Sequence, residues 1–288
     1  MRTGGVEYIK IMKHFDSRFK GCDGLDLYYQ GWLPDGEPKV VLLVVHGLGE
    51  HGGRYGNLVN HFVPVGCGVY SYDQRGHGKS DGVKGYVDRF ADFSGDLDIV
   101  LKLVRRRHPK VKTFLVGHSI GGLVAVAYTS KHGEELDGLI LSGATLSPPA
   151  DVAPATILAA RVLSSISPKT GLYVIDADGI SQDQNVVNAY KSDPLVYRGK
   201  IRARLGVELL KAMDTVGRMA SEIRLPVLIM HGSADRLASP EGSKMLYREV
   251  NSVDKTLKIY ESYWHEIFNE PGRGQVLADV ASWLKTHV

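Results

Sequence analysis

The sequence predicts an α/β fold: one doubly wound, mostly parallel central sheet flanked by helices, with a helical segment inserted late in the chain. Three observations predict it. Val40–Val45 is six aliphatic residues without a polar break, the pattern of a strand buried on both faces of a parallel sheet. Strand-like and helix-like segments then alternate as far as Leu141, as crossover units do. The alternation lapses from about Leu146 to Val216 and resumes at Val227.

The elements follow in chain order. Tyr8, Ile9, Ile11, Phe15 and Phe19 lead through a turn at Gly21–Gly24 into Leu25–Tyr29, which is an N-terminal β-hairpin pattern. Strand Val40–Val45 precedes a helix carrying Leu58, Phe62 and Val63, and strand Val69–Tyr72 stops at Asp73. Leu97, Val100, Leu101 and Val104 recur at helical spacing before Pro109. A strand at Val111–Val116, a helix at Gly122–His132 and a sixth strand at Leu139–Leu141 come next. Pro148-Pro149, Pro154, Pro168 and Pro194 then punctuate short helical pieces, and no strand is expected there. Strands at Val227–Met230 and Thr256–Tyr260, with helices at Glu241–Glu249 and Gln275–Lys285, complete the chain. A length of 288 residues alone suggests about two domains. The order of elements instead predicts one core, 1–145 and 216–288, interrupted by a helical cap at 146–215 after the sixth strand.

Composition removes several classes of function. An apolar fraction of 43% with 23% charged residues is too apolar for a disordered chain. A net charge of +3 gives no electrostatic ground for a nucleic-acid partner. The longest aliphatic run, six residues, is far below a membrane span. Cys22 and Cys67 cannot make a disulfide framework, and Met1–Lys13 lacks the apolar stretch of a signal peptide. A cytoplasmic protein is expected.

Gly117-His118-Ser119-Ile120-Gly121, between a strand and a helix, carries the chemistry. It is Gly-x-Ser-x-Gly in the strand–turn–helix context that a nucleophile elbow needs. Ser119 must sit on a sharp turn with its oxygen projecting from the sheet edge, and Gly117 and Gly121 remove side chains that would clash across it. The helix starts at once, so the N–H of Ile120 is free to stabilise an oxyanion. A serine hydroxyl needs a base held by a third group, and after such an elbow the order is acid, then histidine. The next two strands run into His231-Gly232-Ser233-Ala234-Asp235 and Glu261-Ser262-Tyr263-Trp264-His265. Asp235 and His265 therefore lie at strand ends on the same edge as Ser119, where open α/β sheets bind ligands. His231 is a rival base, but it directly follows a strand and is expected to pack there. Asp176, Asp178 and Asp193 are rival acids without a strand end to fix them.

The loop His46-Gly47-Leu48-Gly49-Glu50-His51-Gly52 admits two readings. Gly47, Gly49 and Gly52, with Asp73 closing the next strand, match the dinucleotide fingerprint of an NAD(P)-dependent oxidoreductase. Against this, the helical pattern resumes only near Arg54, too late to set a helix end on a pyrophosphate. That reading also leaves Ser119, Asp235 and His265 without a joint purpose. The alternative makes the Leu48 N–H the second oxyanion donor, opposite Ile120. Gly78-Lys79-Ser80 resembles the end of a phosphate loop, but Asp73 stands where its first glycine is required. Arg75 and Asp81 are expected to tether that loop. No His-Glu-x-x-His or Cys-x-x-Cys occurs, so no metal site is expected.

With these segments together, the chain resembles the monoacylglycerol lipases and related lysophospholipases of the α/β-hydrolase superfamily. The resemblance rests on His46–His51 with Arg54-Tyr55, Tyr72–Ser80, Gly117–Gly122, Ser192–Leu195, His231–Arg236 and Lys255–Glu261, and covers nearly the whole chain. It implies an α/β-hydrolase fold, Ser119 as nucleophile, Asp235 as acid, His265 as base, and the Leu48 and Ile120 N–H groups as oxyanion hole. It further implies that Glu50 and Arg54 organise the polar end of the pocket and that Tyr190 faces a glycerol group. Family members from animals carry cysteines near the pocket; here no cysteine follows Cys67, so thiol sensitivity is not expected. Val152–Pro168 holds one charge, Arg161. Its apolar residues, Ile157 and Leu158 among them, are expected to line an acyl pocket and to contact a lipid surface. The expected activity is serine carboxylester hydrolysis of monoacylglycerol to fatty acid and glycerol, with no cofactor. A lysophospholipase or general carboxylesterase is the alternative within the class.

Overall fold

The structure, a computed structural model, describes residues 12–148 and 152–288. Tyr8, Ile9, Ile11 and Pro149 lie outside the described residues. Strands β1 (Lys13–Lys20) and β2 (Asp26–Leu33) form the antiparallel hairpin, closed by a turn in which the Gly21 N–H donates to the Leu25 carbonyl. The core strands are β3 (Val40–Val45), β4 (Cys67–Tyr72), β5 (Lys112–His118) and β6 (Gly138–Ser142). Between them run α1 (Gly56–Phe62), α2 (Ala91–Arg107) and α3 (Ile120–His132).

The segment after β6 contains α4 (Pro154–Ile166), α5 (Gln184–Ser192) and α6 (Ala203–Met213). It also holds two short strands, β7 (Gly171–Tyr173) and β8 (Ile201–Arg202), paired antiparallel. This corrects the expectation of an insertion without strands. Three and two residues are too few to carry a period, and the start of α6 is tied to the segment before β7, the Ala203 N–H donating to the Thr170 carbonyl and the Arg204 N–H to that of Pro168. Helix α7 (Val216–Ser221) returns the chain to the core, which ends with β9 (Val227–Gly232), α8 (Pro240–Glu249), β10 (Lys255–Tyr260) and α9 (Arg273–Lys285).

The large sheet has eight strands in the order β1-β2-β4-β3-β5-β6-β9-β10. From β4 to β10 every pairing is parallel, and only the hairpin edge is antiparallel. Strand alternation splits the apolar residues between the two faces. Val41, Leu43, Val45, Leu115 and Leu139 pack toward α2 and α3; Val40, Leu42, Val44, Phe114 and Ile140 pack toward α1 and α9. A strand with both faces buried needs apolar residues at every position, which explains the unbroken run in β3. The register pairs Val45 with Gly117, His118 with Ser142 and Tyr260 with Gly232. The C-terminal ends of β3, β5, β6, β9 and β10 thus align along one edge.

Helix α3 packs so tightly on this edge that Gly121 has no room for a side chain. A Cβ there would meet the Val45 carbonyl oxygen at 2.2 Å and that of His46 at 2.4 Å. The Val45 oxygen belongs to β3, and that of His46, the next residue, is held by Gln74 Nε2 at 2.6 Å. Gly121→Ala is therefore expected to lower unfolding free energy by about 2–3 kcal/mol, read as a lower midpoint in urea; an unchanged midpoint would contradict this packing.

Candidate active site

Ser119 links β5 to α3 with φ 54° and ψ −124°, a left-handed conformation that a side-chain-bearing residue adopts only when its surroundings enforce it. They do so by hydrogen bonds. Its N–H donates to the Ser142 carbonyl at 3.1 Å, and its carbonyl accepts from Gly122 at 2.9 Å and Thr145 at 3.0 Å. Its Oγ lies 3.2 Å from Thr145 Oγ1. Helix α3 begins at Ile120, so the Ile120 N–H is among those without an acceptor inside the helix.

Asp235 follows β9 in a loop folded around its own carboxylate. Oδ1 accepts the Leu237 N–H at 2.8 Å and the Ala238 N–H at 3.0 Å, while Oδ2 accepts from His265 Nδ1 at 2.7 Å and His231 Nε2 at 3.0 Å. The loops after β9 and β10 can lie this close because Gly232 faces the Tyr263 and Trp264 carbonyls, each 2.3 Å from where a Cβ would stand. Burial alone would raise the Asp235 carboxyl; the two histidines, His265 foremost, outweigh it and hold the group far below the usual carboxylate range. Burial alone would lower His265; the charge and hydrogen bond of Asp235, with smaller contributions from Glu266 and Glu50, raise it above its ordinary value. His118 lies beside it, ring centroids 4.8 Å apart, and is held lower, first by burial and then by His265.

The first glycine loop folds over Ser119 from the other side, and a Cβ on Gly47 would stand 3.0 Å from Ser119 Cβ. Glu50 is buried. Its Oε1 accepts from the Gly47 N–H at 2.6 Å and Tyr55 Oη at 2.8 Å, and its Oε2 from Arg54 Nη1 at 2.9 Å. Arg54 also makes a two-pronged pair with Glu266, at 2.6 and 2.9 Å, and stacks 4.7 Å from the Tyr190 ring centroid. Burial opposes the Glu50 charge, but Arg54, with smaller contributions from His118 and His46, prevails and holds its carboxyl well below the usual carboxylate range. Asp73 does not face outward as a dinucleotide site requires: its carboxylate accepts the N–H groups of Gly52 and Lys79, both at 2.8 Å. The oxidoreductase reading therefore loses its ribose-binding residue. Arg75 tethers its loop through Asp96 and Asp23.

A cavity of about 1120 Å³, counted out to its open mouth, joins these groups. Ser119, His265, Leu48, Ile120, Glu50 and Tyr190 border one end, and Ile157, Leu172, Leu209 and Met213 border the apolar remainder. Two expectations need correction. Leu158 does not border the cavity and is 64% exposed. Ile157 and Ala160 of α4 border the cavity and Ser164 on the same side is buried, so Leu158, Val162 and Ile166 turn outward at the successive spacing of four. Arg54 does not border it either and acts on the polar end only through Glu50, Glu266 and Tyr190. Three contributors went unread in the sequence: Thr145 beside Ser119, Glu266 beside Arg54, and His231 as a second partner of Asp235. Glu266, an acid directly after His265, carried the only usable signal. Among the described residues one group, His132, Glu134 and Glu135, brings three donor atoms within 4.8 Å. It sits at the opposite end of α3 from Ser119, away from the cavity.

The comparisons with known proteins agree with this geometry. The family model described as "Serine aminopeptidase, S33" matches residues 36–272. The chain belongs to that family of α/β-hydrolases. It is a serine hydrolase. The chain is 35% identical to the monoacylglycerol lipase of Mycolicibacterium smegmatis over 270 residues, covering 94% of this chain and 96% of that one. It is 35% identical to the monoglyceride lipase of Homo sapiens over 250 residues, covering 86% and 82%. The crystal structure of Paleococcus ferrophilus monoacylglycerol lipase superposes with a TM-score of 0.81 at 30% identity, covering 96% of this chain and 100% of that chain.

His265 can accept a proton only when neutral. Because its pKa lies above the ordinary value of about 6.5, kcat/KM is expected to fall as pH drops through an acid limb above that value. Asp235→Asn removes the raising charge, so the limb should move to lower pH while kcat falls ~10⁴-fold. A limb that stays in place in the variant would contradict the assigned cause.

Proposed function

We propose that this chain hydrolyses monoacylglycerols to fatty acid and glycerol through an acyl-enzyme on Ser119. The observation that carries the reading is the cavity, which is lined by apolar residues of α4 and α6 together with buried Glu50, Ser119 and His265, the last bonded to Asp235. His265 takes the Ser119 proton as Oγ attacks the ester carbonyl, and Asp235 holds the imidazole with Nδ1–H toward itself. The Leu48 and Ile120 N–H groups receive the oxyanion. Glycerol leaves with the proton from His265, and water then attacks the acyl-enzyme with His265 again as base. No cofactor enters these steps.

The head group is assigned by charge. Glu50 at the Ser119 end accepts glycerol hydroxyls through the remaining lone pair of Oε2, beside Tyr190. The same carboxylate repels a phosphate, which disfavours the lysophospholipase alternative. Among the described residues Arg202 is the one arginine bordering the cavity, and its Nε and Nη1 are turned to the Lys84 and Lys169 carbonyls, at 2.9 and 2.8 Å.

Residues 146–215 act in this reading as a cap that supplies the acyl wall. Its outer face, with Leu158, Val162 and Ile166 at 64%, 53% and 74% exposure, suits contact with the lipid surface that holds the substrate. No helix among the described residues is long and apolar enough to cross a membrane.

Initial rates on mono-, di- and triacylglycerols of one acyl chain test the substrate. Monoacylglycerol should be preferred, with Ser119→Ala lowering kcat by at least ~10⁴-fold; preference for triacylglycerol or for lysophospholipid would overturn the head-group assignment. Leu158→Ser with Ile166→Ser should weaken sedimentation with phosphatidylcholine vesicles about ten-fold and leave hydrolysis of a dissolved short-chain ester unchanged. Equal sedimentation would remove the lipid-contact role.

A further inference from the structure

His46 is fully buried, does not border the cavity and takes no part in the proton transfers. Its hydrogen bonds nevertheless fix its chemistry. The Gln74 backbone N–H donates to His46 Nε2 at 2.9 Å. A backbone N–H can only donate, so Nε2 is unprotonated and the neutral ring carries its proton on Nδ1. Nδ1 lies 2.7 Å from the Gly47 carbonyl oxygen, so that bond runs from the ring to the carbonyl. Burial holds the ring pKa down to about 4, and the neutral tautomer persists wherever His265 is active.

The Gly47 carbonyl belongs to the same peptide plane as the Leu48 N–H. In a trans peptide the two point in opposite directions. Drawing the carbonyl down into the buried ring therefore aims the Leu48 N–H up into the cavity, which Gly47 and Leu48 both border. The preceding peptide is held as well, since the Gly47 N–H donates to Glu50 at 2.6 Å. Glycine has no side chain to restrict its φ and ψ, so without these two anchors the Gly47–Leu48 plane could rotate. A carbonyl that accepts a hydrogen bond also makes the N–H of its own amide a stronger donor.

We propose that His46 is a positioning residue for the oxyanion hole, its Nδ1–H locking and polarising the Gly47–Leu48 peptide so that the Leu48 N–H meets the developing negative charge. The proposal rests on the reading of Leu48 as an oxyanion donor. It separates two functions of one ring, a donor at Nδ1 that serves the reaction and an acceptor at Nε2 that serves the Gln74 loop.

Two substitutions divide them. In His46→Asn the amide nitrogen stands near the place of Nδ1; in His46→Gln the polar end stands near the place of Nε2. The measurements are kcat and KM on a monoacylglycerol, Ki for an alkyl trifluoromethyl ketone, which forms a tetrahedral oxyanion on the nucleophile, and the thermal midpoint. His46→Gln is expected to lower kcat about 10- to 100-fold, part of the ~10²–10³ lost when a donor is removed outright. KM should change little, and Ki should rise by the same factor as kcat falls. His46→Asn should retain most of the wild-type kcat and Ki even where its thermal midpoint drops further. The reverse order, or losses in kcat that track the thermal midpoint in both variants, would overturn the proposal. Should neither variant fold, the wild-type protein decides it. ¹⁵N spectra should give His46 as the Nδ1–H tautomer, and the Leu48 amide proton should move downfield on adding the ketone. An Nε2–H tautomer, or a Leu48 amide that does not respond, would overturn it. Wild-type protein that neither hydrolyses the ester nor binds the ketone would instead remove the underlying reading of the site.

Discussion

The left-handed backbone of Ser119 is the constraint on which the rest of the structure depends. That conformation is unfavourable for a residue with a side chain, and it persists because every polar backbone group of Ser119 is committed. Its N–H goes to the Ser142 carbonyl and its carbonyl to Gly122 and Thr145. Those partners belong to β6, to the loop after it and to α3, so the elbow exists only when β5, β6 and α3 are in register. The close seat of Gly121 against the carbonyls of Val45 and His46 adds β3. Four elements of the core thus hold one oxygen at the sheet edge.

Around that oxygen the charges are arranged asymmetrically. On the base side, one carboxylate accepts four hydrogen bonds and raises the histidine that faces the cavity. On the head-group side, Glu50 and Glu266 share a single arginine, so the buried cluster of these three groups carries net negative charge. A buried carboxylate tolerates this only when its oxygens are satisfied, and the Gly47 N–H and Tyr55 hydroxyl supply what Arg54 does not. The same Gly47 N–H bond fixes the loop that offers Leu48. In the proposed reading, head-group recognition and oxyanion stabilisation therefore share one residue, and damage to either should reach the other.

Much of this was legible in the sequence, and the reasons differ by element. Strands buried on both faces announce themselves by apolar runs, Val40–Val45 in β3, Phe114–Val116 in β5 and Val227–Met230 in β9, so these were readable, and with them the strand ends that carry Ser119 and Asp235. The elbow was readable because its glycines are forced by backbone clashes. What stayed hidden depends on three-dimensional direction. An α4 that is apolar around most of its circumference gives no pattern to tell its inner side from its outer, and Leu158 was assigned to the wrong side for that reason. The short strands β7 and β8 have no period to detect. Thr145 owes its contact to the register of β5 with β6, 26 residues from Ser119, and His231, only four residues before Asp235, reaches it because the loop after β9 folds back on that strand's end. Glu50 and Arg54 entered only through the family resemblance; their ion pair spans four residues, but the second acid, Glu266, arrives from the far end of the chain.

The central claim is that Ser119 is the one hydroxyl made nucleophilic by this arrangement. The measurement that tests it most directly is labelling of the folded protein with an alkyl fluorophosphonate at pH 8, followed by peptide mass mapping. A single adduct on Ser119, lost on unfolding the protein before labelling, is the expected result. An unlabelled Ser119 in folded protein, or an adduct on another residue in its place, would contradict the account.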